Sequence, residues 1–370
     1  MSNEMTNGTW KRACHVVVWL IIVVLVCGYV VEWYLFRKGY RVENLDSLRY
    51  YHSFDQYLGW TLTPNEDRNM GVINGVEVHE RIGADAARIS RPQLSKKASK
   101  KVLVLGCSHA YGWQVPDKET FCWKLNESYP DICFDNFAVP AYGTYQCYLT
   151  EKRLLMNHSD YDLVLYCCFD DHVLRNTAWA AQGNSIKQPG KPFIFAPRAD
   201  LDWRGQLRFY EPVRRWPGDD FLVSINFAKR IYYCMWVDYC KNHVARDRGI
   251  VIWDNASDWA VFWALVEKMA VEAEHRGSRF GVVWLFDSGT WAQACRKRQE
   301  LAANYPWWGQ CPWKVEWNYP CLCTGFSDVD NPALLVSTTN RHYNGTVHSF
   351  WASEIGPWVK ELLYSKKERG

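Results

Sequence analysis

Ser108 is the residue best placed by its surroundings to act as a nucleophile. It follows Lys101-Val-Leu-Val-Leu-Gly106-Cys107, a short apolar strand ending in a glycine that allows a sharp turn. A helix beginning just beyond would put Ser108 at the carboxyl end of a parallel strand, where open α/β sheets place their ligands. Its own backbone N–H would then face an oxyanion formed on its hydroxyl. A serine nucleophile needs a base, and the best candidate is His342 in Thr338-Thr-Asn340-Arg-His342-Tyr-Asn344-Gly-Thr-Val-His348. His109 and His348 are alternative bases, and Cys107 is an alternative thiol nucleophile. The non-chemical reading of Ser108 is a cap on the helix start.

The flanking pattern supplies the elements. Pro116-Asp-Lys-Glu119-Thr-Phe-Cys-Trp-Lys-Leu-Asn-Glu-Ser128 reads as a helix with an acidic first turn. Ile132-Cys-Phe-Asp-Asn136 and Asp162-Leu-Val-Leu-Tyr-Cys-Cys168 read as further strands. The alternation of strands and helices predicts an α/β fold, a doubly wound parallel sheet with helices on both faces. Helical patterns return at 227–244, 256–275 and 349–364, and a strand at 279–286.

Four segments organise the 370 residues: a tail (1–14), an apolar segment (15–36), a stalk or cap (37–100) and the α/β domain (101–364). Residues 177–222, rich in Pro, Gly, Arg and Trp, read as an insertion that shapes substrate access. The run from Val16 to Phe36 is interrupted by one charge, Glu32, and as a helix would be roughly 31 Å long, close to a bilayer core. No small-x-small cleavage site follows it, so an uncleaved transmembrane signal anchor is expected. Lys11 and Arg12 on one side nearly balance Arg37, Lys38 and Arg41 on the other, so loop charge does not set the orientation.

A net charge of +3 disfavours nucleic acid as a partner. Of 14 cysteines, Cys167 and Cys168 lie in an apolar strand and read as core; Cys311, Cys321 and Cys323 are close enough to include a disulfide. They lack the paired C-x-x-C of a zinc site, and no metal or cofactor is expected. Most of the 21 tryptophans are expected in the core or at interfaces, with two or three free to stack on sugars. Arg175 and His172 could hold an anionic group, but pairing with Asp170 and Asp171 is the favoured reading.

At the level of motifs, residues 55–364 resemble the SGNH (GDSL-type) hydrolases, especially membrane-anchored members with extracytoplasmic domains. The opening Gly-Asp-Ser resembles Gly106-Cys107-Ser108, with the later glycine at Gly112, and the following run resembles Gln114-Val-Pro-Asp-Lys-Glu-Thr-Phe121. The second block resembles Asn136-Phe-Ala-Val-Pro-Ala141-Tyr142-Gly143-Thr144, and the third Asp171-His172 with Asn176. The last resembles Asn340-Arg-His342-Tyr-Asn344 with His348. The resemblance implies catalysis by Ser108 and His342 with Asn340 orienting the ring, and an oxyanion site from Ser108, Ala141 and Asp171.

The departures fall on the chemistry. Cys107 replaces an aspartate, and Ala141 a glycine whose N–H an alanine would offer only at negative φ. Asp171 replaces an asparagine amide and would repel an oxyanion unless protonated or turned away. Asn340 replaces the orienting aspartate, a change that costs about 10⁴ in kcat in a Ser-His-Asp triad. The implied activity is that of a membrane-anchored serine esterase or O-acyltransferase, its substrate an acylated carbohydrate or another ester, such as the O-acetyl groups of an envelope glycan. The bulk of the chain would be periplasmic or at the cell surface. The alternative is a catalytically degenerate domain that binds glycan or scaffolds a complex.

Overall fold

The computed structural model describes residues 3–40, 52–73, 75–91, 98–157, 160–176, 196–202, 205–211, 217–218, 221–239, 255–286, 292, 295–296, 299, 320–324, 326, 331–337 and 340–365. The chain divides into two compact units, one of residues 1–47, 183–193 and 215–238, the other of the remainder.

The larger unit is built on a five-stranded parallel sheet. Its strands are β5 (Lys100–Gly106), β6 (Ile132–Asn136), β7 (Leu163–Cys168), β10 (Arg279–Trp284) and β11 (Cys321–Cys323), in the spatial order β6-β5-β7-β10-β11. Counted within the sheet, this is 2-1-3-4-5, the flavodoxin-like doubly wound order, whose ligand crevice opens beyond the carboxyl ends of its first and third strands. Here those strands are β5 and β7, paired from Val102 with Leu163 to Gly106 with Cys167. Their side chains read as near-continuous apolar runs because both faces are covered. Val102 to Leu105 and Leu163 to Cys168 are fully buried, Cys167 and Cys168 among them as expected.

Helices α3 (Phe121–Ser128) and α8 (Gly345–Tyr364) pack together, as do α4 (Thr144–Asn157) and α7 (Asn255–His275). The acidic turn expected to open α3 is instead a separate 3₁₀ turn, Asp117–Glu119, and Thr120 caps the helix by accepting from Trp123 N–H. Asp117 is diverted because its carboxylate binds Arg81 (2.7 Å) and Arg88 (3.1 Å). The last helix starts at Gly345, four residues earlier than its apolar pattern suggested, because the Asn344 side chain caps it through Thr346 N–H.

Before β5 come two antiparallel hairpins, β1 (His52–Asp55) with β2 (Gly59–Leu62) and β3 (Asp67–Ile73) with β4 (Val76–Arg81). The first is tied to the segment after β6 and to α4: Trp60 Nε1 donates to Pro140 O, Tyr142 Oη to Trp60 O, and Gln146 Nε2 to Leu58 O. Arg88, fully buried, donates to Tyr111 O, Gly112 O, Val115 O and Asp117. That one guanidinium holds the loop that follows Ser108. A third hairpin, β8 (Arg198–Leu201) with β9 (Leu207–Tyr210), lies within the 177–222 insertion.

In the smaller unit, α1 (Asn3–Arg37) contains the apolar segment expected from sequence. Its stretch His15–Arg37 has a mean hydropathy of 2.5 over its most apolar window and is long enough to cross a membrane. Another helix of this unit, α6 (Val223–Tyr239), follows β9 in the chain. Cys311 lies outside the described residues, and with it the question of a bridge to Cys321 or Cys323.

Candidate active site

The site forms at the crevice between β5 and β7. At the end of β5 the backbone of Gly106 is so close to its neighbours that a Cβ there would stand 2.6 Å from Ala110 Cβ and 2.7 Å from Cys167 O. Only glycine permits that turn. The short helix α2 (Ser108–Tyr111) begins at once, with Cys107 in the cap position and no side-chain cap. Ser108 is thus the first helical residue and not a cap. It is 7% exposed, and among the described residues its Oγ has no hydrogen-bond partner.

His342 lies on β13 (Asn340–Tyr343), which pairs with β12 (Leu335–Ser337). Its ring stacks on His109, centroids 4.9 Å apart and planes 29° apart, with Trp113 at 6.4 Å. His109 is itself enclosed by Phe169 at 4.7 Å, Phe286 at 5.3 Å and Tyr343 at 5.6 Å. The residue next to the candidate nucleophile therefore carries the ring of the candidate base. No hydrogen bond joins Ser108 to His342 among the described residues; such bonds commonly tighten only when substrate is bound. The Asn340 side chain lies outside the described residues.

Burial, with the nearby Arg175 cation, pushes His342 down to about 4, so the ring is neutral and able to accept a proton at neutral pH. Burial drives His109 well below its ordinary value, and the neighbouring His342 adds to this. His348 does not reach the site. It sits one turn into α8, where Nδ1 accepts from Phe121 N–H at 3.2 Å and the ring packs on Phe121 and Trp351. Burial and Arg88 lower it to about 3. It is a core histidine and is removed as a candidate base. Cys107 is buried and its thiol is pushed up by burial despite Arg175, which keeps it protonated and a poor nucleophile.

The second donor segment follows β6. Ala141 has φ +65°, a left-handed conformation, so the negative φ expected of the alanine is not what the chain adopts. This costs about 1–2 kcal/mol for a residue with a Cβ. The turn is held by its neighbours, Pro140 O accepting from Trp60 and Tyr142 Oη donating to Trp60 O. Among the described residues neither the Ala141 N–H nor the Ser108 N–H has an acceptor. Both remain available to an oxyanion.

The third segment follows β7 and is α5 (Asp171–Asn176). Asp171 is turned outward, 53% exposed, and bound to Arg175 at 2.9 Å, the pairing favoured from sequence. His172 is instead buried, with Nδ1 2.7 Å from Tyr166 Oη, and burial followed by Arg175 sends it well below its ordinary value. Asn176 donates to Thr144 Oγ1 and accepts from Tyr145 N–H, fastening α5 to α4. Gly143 allows the close approach, since a Cβ there would meet Arg175 Cβ at 2.8 Å.

Arg175 is the charged residue of this region that sequence reading undervalued. Its Nη1 donates to Tyr142 O at 3.2 Å, and its guanidinium lies 5.5 Å from the Phe169 ring centre. Cys107, His109, His172 and His342 all feel its charge. The sequence signal was its place one turn after Asp171. Its effect on Cys107 and His109 depends on the β5–β7 pairing.

No family model matches the chain, and no curated protein matches it. Several solved structures do. A member of the lipolytic protein G-D-S-L family from Veillonella parvula is 8% identical, with 72% of this chain and 99% of that one covered and a TM-score of 0.35. A carbohydrate esterase family 3 protein from Talaromyces cellulolyticus is 12% identical over 72% of this chain and 100% of that one, TM-score 0.35. A catalytic mutant of an acetylxylan esterase from Geobacillus stearothermophilus is 10% identical over 71% and 94%, TM-score 0.34. The strand order decides the fold: this is a doubly wound, flavodoxin-like α/β domain.

Proposed function

We propose that the protein is an SGNH-type serine esterase or O-acyltransferase, anchored in a membrane by α1 with its α/β unit outside the cytoplasm. One observation supports this above all: the neutral His342 ring, within reach of the Arg175 charge, stacks on His109, the residue that follows Ser108 at the carboxyl end of β5. Ser108 Oγ attacks the acyl carbonyl while His342 takes its proton. The carbonyl oxygen becomes an oxyanion held by the Ser108 and Ala141 N–H groups. Arg175 supplies the positive charge that Asp171 cannot, and Asp171 is neutralised by the same guanidinium. Collapse expels the alcohol, which recovers the proton from His342, and water or an acceptor hydroxyl then releases the acyl group from Ser108.

The substrate class is an acylated carbohydrate or a related ester, by analogy with the carbohydrate and acetylxylan esterases among the structural matches. The test is turnover of acetylated sugars by the full chain and by Ser108→Ala. Loss of turnover in the variant agrees with the proposal, and undiminished turnover contradicts it. A second reading, a glycan-binding domain without turnover, is favoured by the Asp171 substitution. It predicts that Ser108→Ala leaves glycan affinity unchanged and that no acetyl ester is cleaved by either protein.

A further inference from the structure

Along α6, among the described side chains, the polar Asn226 and Lys229 are buried at 2% exposure each, while the later apolar residues Ile231, Tyr232 and Met235 are 42%, 50% and 66% exposed, as is Leu222 just before the helix at 41%. Positions 231, 232 and 235 fall at helical spacing on one face, with the small Ala228 completing the stripe. A helix packed against a protein core in water buries its apolar stripe and exposes its lysines, so this face is made for a non-aqueous neighbour.

What that neighbour is follows from where α6 begins. The backbone N–H groups of Val223 and Ser224 donate to Glu32 Oε2 and Oε1, at 2.7 and 2.9 Å. Tyr40 and Phe227 add an edge-on ring contact at 5.0 Å. Glu32, the charge that interrupts the apolar run of α1, is thus the cap of α6. It lies five residues before Arg37, about 7.5 Å along the helix axis. Arg37 and Lys38 lie over Trp33 and Tyr34 at 5.6 Å each, a cluster suited to the headgroup layer. A helix starting about 7.5 Å inside that layer enters at the depth at which interfacial amphipathic helices lie, roughly 5–10 Å into the headgroup and acyl boundary. The apolar surface of α1 is exposed as well, Val16 to Val26 all being open.

We propose that α6 is an in-plane membrane helix, with Ile231, Tyr232 and Met235 against lipid acyl chains, so that the anchor is a pair of helices joined through Glu32. The proposal rests on α1 being a membrane anchor. The full chain would be reconstituted in phosphatidylcholine vesicles with the photocrosslinker p-benzoylphenylalanine placed singly at Met235, Ile231, Leu25 or Tyr57. Illumination is expected to add one phospholipid mass at Met235 and Ile231, as at Leu25 in α1, and none at Tyr57, an exposed residue of the larger unit. Lipid at Leu25 but none at Met235 and Ile231, or crosslinks from those two to protein, would overturn the proposal and leave the anchor standing. No lipid at Leu25 would overturn the anchor and the proposal with it.

Discussion

At the scale of residues, the proposed oxyanion site rests on a pair of opposite charges, Asp171 and Arg175. The carboxylate at position 171 is exposed and bound by Arg175, whose charge also acts on the His342 ring. Replacing Arg175 by methionine is expected to lower kcat about 10²-fold or more, the loss seen when an oxyanion donor is removed. It should also move the acid limb of the kcat/KM profile to higher pH. The sign follows from the cause: Arg175 helps hold His342 down near 4, so removing it lets the ring protonate earlier as pH falls. An acid limb unchanged in position would show that Arg175 does not act on the base. Ser108 was legible because an apolar strand, a glycine and a helix surround it. The His109–His342 stack was not, since it joins residues far apart in sequence through a pairing of β13 that no local pattern encodes.

The elements were read unevenly, for physical reasons. The buried strands β5, β6, β7 and β10 declare themselves as short apolar runs, and α7 by its period. The hairpins β1–β2 and β3–β4 do not, because strands such as Asp67–Ile73 are half exposed and carry as many polar as apolar residues. The start of α3 was misplaced because the acidic side chain at 117 serves two arginines from the region before β5. Between α4 and α7 lies a liability that no sequence pattern marks. Glu151 is fully buried with both oxygens unpartnered among the described residues, and burial, then Glu272, raises its carboxyl well above the ordinary 4.5. Below that value the carboxyl is neutral folded and unfolded. Above it the unfolded chain ionises freely while the folded one resists, so stability is lost as pH rises. Glu151→Met should therefore stabilise the protein by about 1–3 kcal/mol at pH 8, and by less at pH 5, in denaturant titrations at the two pH values. A variant equally or less stable at pH 8 would mean that Glu151 has a partner or a role.

Across the whole molecule, the histidines of the site and its surroundings share one electrostatic condition. His109, His172, His342 and His348 are all held below the ordinary 6.5, chiefly by burial. For a depressed histidine the unfolded state binds protons first, so stability is fully present above pH 6.5 and falls as pH drops toward the folded values, about 4 for His342 and about 3 for His348. Each contributes a slope of up to about 1.4 kcal/mol per pH unit in that window. The melting temperature should decline steadily between pH 6.5 and 4.5; a flat profile would mean that these rings are solvated and charged. The doubly wound class was legible in the alternation of strands and helices, whereas the sheet order that locates the crevice was not, because periodicity fixes elements but not their neighbours.

The central claim is that Ser108 is an activated nucleophile despite the changes around it. Treating the full chain with a fluorophosphonate and mapping the adduct by peptide mass tests this most directly. The account predicts one adduct, on Ser108, strongly reduced in His342→Ala while the variant remains folded. An unlabelled Ser108 in a folded wild-type protein, or labelling that persists without His342, would contradict it.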